Sequence, residues 1–112
     1  MTDRLFLINP DWRDDLGGPW FCPAGAFVEG VLAFYPALQD QLEIVRLDFP
    51  RPRPPVIKLV GEEHQSCPIL VLDGTFDWPD ARTSEATGRR FLQDHAIVPY
   101  LAARYGVGLP HP

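Results

Sequence analysis

Thirteen prolines are spread along the 112 residues, and they set where regular structure can run. Proline fixes its own φ and offers no N–H, so it ends helices and stays out of the middle of central strands. Spread in this way they punctuate short elements. They form no low-complexity tail, and no internal repeat is visible.

The segments between them read as alternating strands and helices. Arg4-Leu5-Phe6-Leu7-Ile8 is a continuous apolar run stopped by Asn9-Pro10, which suits a strand buried on both faces. Asp11 to Trp20, with Asp14-Asp15, Gly17-Gly18 and Pro19, reads as an exposed loop. Cys22-Pro23 then opens a helix, because proline is favoured at the first helical position. Phe27, Val28, Val31, Leu32 and Tyr35 give that helix one apolar stripe, and Pro36 ends it. Leu42 to Phe49 is a second strand, and the proline-rich stretch 50–55 is an extended connector to a short helix over Val56 to Val60, closed by Gly61.

Pro68-Ile69-Leu70-Val71-Leu72 is the most strand-like run in the chain, and Asp73-Gly74 turns it back. The stretch 76–88 carries no clear signal. A strand around Arg90-Phe91-Leu92 follows, and Asp94 is expected as N-cap of a last helix through Tyr105, closed by Gly106. The order β-α-β, helix, hairpin, helix needs a right-handed crossover between parallel strands plus an antiparallel edge. The expected fold class is α/β, a small mixed four-stranded sheet flanked by helices, in a single domain over 1–112.

Bulk properties narrow the function. Hydrophobic residues at 46% and charged residues at 22% are ordinary globular values. A formal charge of −5 leaves no basic stripe for nucleic acid or for an anionic membrane surface. No apolar run is long enough to span a bilayer, and Met1-Thr2-Asp3-Arg4 leads into the first strand without a signal peptide, so a cytoplasmic protein is expected. Cys22 and Cys67 are too few for a secreted disulfide scaffold, and a reducing compartment keeps them as thiols. His64, His95 and His111 have no metal-ligand spacing with the cysteines and read as exposed or capping residues, so no metal is expected. Glu62-Glu63 and Asp14-Asp15 read as solvated faces.

Three local motifs, in this order, resemble the thioredoxin superfamily. Trp20-Phe21-Cys22-Pro23-Ala24-Gly25 is similar to its Cys-Pro-x-Cys active-site turn. Gln65-Ser66-Cys67-Pro68-Ile69-Leu70 resembles the segment that carries its cis-proline. Gln93-Asp94-His95-Ala96-Ile97, followed by Tyr100-Leu101 and Tyr105-Gly106, resembles the end of the thioredoxin-like half of glutathione transferases. The whole chain also looks like a bacterial family of short thioredoxin-like proteins with no established function. The expected fold is accordingly thioredoxin-like, of the glutaredoxin or glutathione transferase N-terminal type.

The resemblance implies a cis bond at Pro68, with Cys67 beside the turn that carries Cys22. Cys22 would be the nucleophile, at a helix start where free N–H groups and the macrodipole favour a thiolate. Pro23, Pro68, Gln93 and Asp94 would bind substrate, Gln93 and Asp94 taking the γ-glutamyl end of glutathione. Gly25 stands where the superfamily has its second cysteine, which removes the ordinary dithiol mechanism. Cys67 is a candidate replacement as resolving thiol; its plainer role is a small buried residue at a strand start. The larger helical domain of a glutathione transferase is absent from this sequence.

Two functions follow. One is a single-cysteine thiol-disulfide or glutathione-dependent oxidoreductase, with glutathione or a protein thiol as partner, glutathione serving as co-substrate and no resident cofactor. The other is a non-catalytic thioredoxin-like module that holds a partner in the groove beside Pro68. The oligomeric state is not legible, and a homodimer is compatible with either.

Overall fold

The structure, a computed structural model, describes residues 2–112. Its backbone is one five-stranded mixed sheet with helices on both faces. A two-stranded hairpin projects from one end. β1 (Arg4–Ile8) is central and leads into the hairpin β2 (Trp12–Asp14) and β3 (Gly17–Trp20). Helix α1 (Pro23–Phe34), the single turn α2 (Leu38–Gln41) and strand β4 (Glu43–Leu47) follow. Helix α3 (Pro54–Val60) and a 3₁₀ turn over Glu62–His64 precede β5 (Ile69–Val71). The chain closes with β6 (Arg82–Thr83), β7 (Arg90–Gln93), a 3₁₀ turn over Asp94–Ala96 and helix α4 (Ile97–Tyr105).

The spatial order is β4-β1-β5-β7-β6. β4 lies parallel to β1, with Leu5 opposite Ile44; every other pair is antiparallel. The period-two alternation of a strand explains the layering. Leu5 and Leu7 of β1 point into a core shared with Val28, Leu32, Tyr100 and Leu101 of α1 and α4. Phe6 points the other way, into a second core with Val56, Val60 and Phe91 under α3. β1, β5 and β7 are covered on both faces, which is why consecutive apolar residues occupy their middles: Leu5-Phe6-Leu7, Ile69-Leu70-Val71 and Phe91-Leu92. The radius of gyration, 13.9 Å, is close to the value of about 13 Å expected of a compact chain this long. Among the described residues no helix is long and apolar enough to cross a membrane.

Several expectations change. The sheet has five strands instead of four, because two residues of 76–88, Arg82 and Thr83, add an edge strand to β7. Residues 11–20 form a hairpin instead of a loop, with Trp12 opposite Trp20 and the Trp20 indole N–H donating to Asp14 Oδ1 at 3.0 Å. Phe27 and Tyr35 drop out of the buried stripe of α1, each more than a third exposed. Asp94 does not cap the last helix. It stands at φ 51° and opens the 3₁₀ turn, while α4 begins at Ile97 with no side-chain cap. Pro99 explains the shift: it has no N–H to give, so it fits only in the first helical turn, where N–H groups have no partner.

Candidate functional site

Strand direction assembles the site. β5 runs opposite to β1 with Ile69 beside Phe6, so the residues that precede β5 meet those that follow β1. Cys67 and Pro68 therefore arrive at the sheet end from which the chain leaves into the hairpin and returns at Cys22. This is the carboxyl end of the two parallel strands β1 and β4, where open α/β sheets commonly bind ligands.

Cys22 is the N-cap of α1, with Pro23 at the first helical position. Its extended backbone (φ −78°, ψ 119°) lets its carbonyl accept the Ala26 N–H at 2.8 Å, and its Sγ accepts the Gly25 N–H at 3.4 Å. The sulfur thus takes the role usually filled by a serine or aspartate oxygen. On its other side Cys22 Sγ lies 3.9 Å from the Cys67 carbonyl oxygen. A Cβ at position 25 would stand 3.6 Å from Sγ, so the space a second thiol would occupy is left open by Gly25.

Cys22 lines three clefts. One of about 340 Å³ runs between β1 and α1 past Phe21. A second, about 490 Å³, is bounded by Pro23, Phe27, Asp94 and His95. The third, about 240 Å³, faces Trp12, Phe49, Arg51, Arg53 and Cys67. Trp20 and Phe21 do not cover the thiol: they are 39% and 63% exposed, and Cys22 itself is half-buried.

Both cysteines are free thiols, and they differ in environment. Burial pushes the Cys67 thiol up to about 11, against the opposing pull of the Arg53 and Arg51 charges. Its Sγ donates only a long contact to the Gln65 carbonyl at 3.7 Å.

The other expected site residues divide. Pro23 and Asp94 line clefts that reach Cys22. The Cys67–Pro68 peptide bond is cis, as are Gly18–Pro19 and Arg51–Pro52. Pro68 itself is buried and lines none of the three clefts; its carbonyl accepts the Asp94 N–H at 3.2 Å. Gln93 is committed elsewhere: its amide donates to the Ser66 carbonyl at 3.0 Å, and its Oε1 accepts from Arg82 at 2.9 Å. It braces the edge between β7 and the loop before β5 and lines no cleft with the thiol.

Sequence reading missed Trp12, Arg51 and Arg53 as neighbours of Cys22. The only hint is the alternation of arginine with proline over 50–55, which here folds back over the site. It also misplaced His64. That side chain is 8% exposed, packs on the Phe91 ring, and its Nε2 lies 3.0 Å from Glu85 Oε2, with Glu63 nearby. Glu85 is 21 residues away in the chain, so no local spacing announces this cluster.

No curated protein and no solved structure matches this chain. Residues 2–109 match the family described as "Protein of unknown function (DUF3088)", and the match extends over nearly the whole chain, hairpin, cysteine turn and α4 included. The chain belongs to that family.

Proposed function

We propose that the chain is a thioredoxin-like thiol oxidoreductase in which Cys22 forms a mixed disulfide with glutathione or a protein thiol. The observation that carries this reading is a half-buried cysteine at a helix N-terminus that lines three clefts, its sulfur hydrogen-bonded by the Gly25 amide. A nucleophile needs access, and Cys22 lines all three clefts. The strand order, the parallel β1–α1–β4 unit and the arrival of Cys67-Pro68 beside Cys22 support the thioredoxin-like reading of the fold.

Cys67 fits the resolving role poorly. With its thiol pushed up to about 11, it carries almost no thiolate near neutral pH. The mixed disulfide is therefore resolved by a second substrate thiol, as in a monothiol mechanism.

Incubation of the reduced protein with oxidised glutathione, followed by mass spectrometry of peptides, tests this. One glutathione on the peptide carrying Cys22, absent in Cys22→Ser, is the expected result. A protein that stays unmodified while retaining its fold overturns the reading and leaves a binding module whose clefts hold a partner without chemistry.

A further inference from the structure

The third cleft at Cys22 differs from the other two in charge. Arg51 and Arg53 line it, and among the described residues that line it there is no aspartate or glutamate, although the chain carries a net charge of −5. Neither guanidinium has a hydrogen-bonded carboxylate. Arg51 Nη2 donates to the Ser66 hydroxyl at 2.9 Å, and Arg53 donates to the carbonyl oxygens of Gln65, at 2.7 Å, and of Phe49.

Arg53 is only 5% exposed, and its Nε is buried with no hydrogen-bond partner. A buried charge held by neutral acceptors alone is costly, because carbonyl dipoles replace its lost hydration only in part. Trp12, stacked on Phe49 with ring centroids 4.5 Å apart, buries a second orphan donor, its Nε1. Among the described residues three buried side-chain nitrogens lack a partner, and two of them belong to residues lining this cleft. All these groups are donors. What they jointly lack is an acceptor with negative charge.

We infer that this cleft receives a carboxylate of the molecule whose sulfur meets Cys22, so that the substrate class is an anionic, carboxylate-bearing disulfide or thiol. The inference rests on the proposed role of Cys22. A carboxylate matches the planar fork of a guanidinium, and Arg51, exposed and tied only to a serine hydroxyl, is free to exchange that partner for it. With the carboxylate in the cleft, the Cys22 thiolate attacks the near sulfur of the disulfide R–S–S–R. The Cys22–S bond forms as the S–S bond breaks, and R–S⁻ leaves and takes a proton from water. The disulfide is the oxidant, and its leaving sulfur accepts the electron pair. The thiolate of a second substrate, R′–S⁻, then attacks the sulfur of R in the mixed disulfide. The Cys22–S bond breaks as the new S–S bond forms, R–S–S–R′ leaves and the Cys22 thiolate is restored, so that R–S–S–R and R′–S⁻ have become R–S–S–R′ and R–S⁻.

Three disulfides of similar length test the charge preference: 3,3′-dithiodipropionate, bis(2-hydroxyethyl) disulfide and cystamine. Each second-order rate with Cys22 is divided by the rate of free mercaptoethanol with the same reagent. The expected ranking is anionic, neutral, cationic, with roughly tenfold between the first two at low salt, shrinking as ionic strength rises and in Arg51→Gln. Equal normalised rates would refute the inference and leave Cys22 as a nucleophile.

If Cys22 reacts with none of the three, the proposed function fails separately, and binding to Cys22→Ser then decides the cleft. A saturable shift of the Trp12 indole N–H resonance with 3,3′-dithiodipropionate, and none with the diol, upholds the anion site. The absence of any shift overturns it.

Discussion

At the scale of single residues, the two cysteines sit a carbonyl's reach apart in different surroundings. Cys22 is met by a backbone N–H, whereas burial holds Cys67 at about 11. At pH 7.5 such a thiol is about 0.03% ionised. Iodoacetamide should therefore alkylate Cys22 at least tenfold faster than Cys67 at that pH, and Cys67 labelling should climb about tenfold per pH unit toward 11. Peptide mass spectrometry across pH reads both rates. Equal labelling of the two at neutral pH would contradict this assignment. The sequence disclosed Cys22 because proline directly after it marks a helix start. It could not disclose Arg53, whose neighbours at Gln65 and Phe49 are joined only when 50–55 folds back.

Among elements, α3 shows how a stretch without pattern can still be well determined. Its last carbonyls have no partner within the helix. Val60 O accepts the Ser84 hydroxyl at 2.8 Å, and Leu59 O accepts the Thr87 hydroxyl at 2.7 Å. Ser84 Oγ in turn accepts the Ala86 and Thr87 N–H groups, each at 3.2 Å, so one buried hydroxyl shapes the loop and closes the helix. This is why 76–88 resisted reading: its structure comes from tertiary hydrogen bonds to α3 and not from its own periodicity. The hairpin was missed for a related reason, since glycine, proline and paired aspartates dominate it and the pairing of Trp12 with Trp20 is invisible to a turn-based reading. Ser84→Ala leaves a carbonyl and two N–H groups short of a partner and should cost about 1–3 kcal/mol. Urea unfolding measures it, and Ser84→Thr should recover part of the loss. An unchanged midpoint in Ser84→Ala would mean that water replaces the hydroxyl.

Across the whole molecule, the end of the sheet opposite Cys22 is closed by a buried polar network that joins both ends of the chain. Asp3 is fully buried. Its Oδ2 accepts from the Tyr100 hydroxyl at 2.6 Å, the Tyr105 hydroxyl at 2.8 Å and Arg104 Nη1 at 3.0 Å, and its Oδ1 accepts the Asp73 N–H at 2.8 Å. Every partner is a donor, so an amide cannot replace the carboxylate without setting N–H against N–H or O–H. Asp3→Asn should cost about 3 kcal/mol. The doubly buried run of β1 and a last helix closed by Gly106 were readable from the sequence, whereas this network was not, because Asp3 lies just outside the apolar run and its partners lie 70 to 102 residues on.

The same network sets how the protein responds to acid. Arg104 bridges Asp3 to Asp73, donating to Asp73 Oδ1 at 3.0 Å and Oδ2 at 3.2 Å, while Thr75 donates to Oδ1 from its N–H and its hydroxyl. Burial alone would raise the Asp73 carboxyl, yet these hydrogen bonds carry it down from 3.8 to about 2. A carboxyl that is more acidic folded than unfolded binds fewer protons in the folded state, so stability falls as pH drops. The contribution is fully present above about pH 4, declines as the unfolded chain takes up its proton, and is gone below pH 2. Urea midpoints at pH 7, 4, 3 and 2 should therefore hold steady down to 4 and then fall. Asp73→Asn should start lower at pH 7 and fall less steeply from 4 to 2, since that variant has no proton to take up at this position. Other carboxylates contribute to the absolute slope, so the difference between the two proteins carries the test. Parallel curves over that range would show that Asp73 is not held below its ordinary value, and that Arg104 acts on it through packing alone.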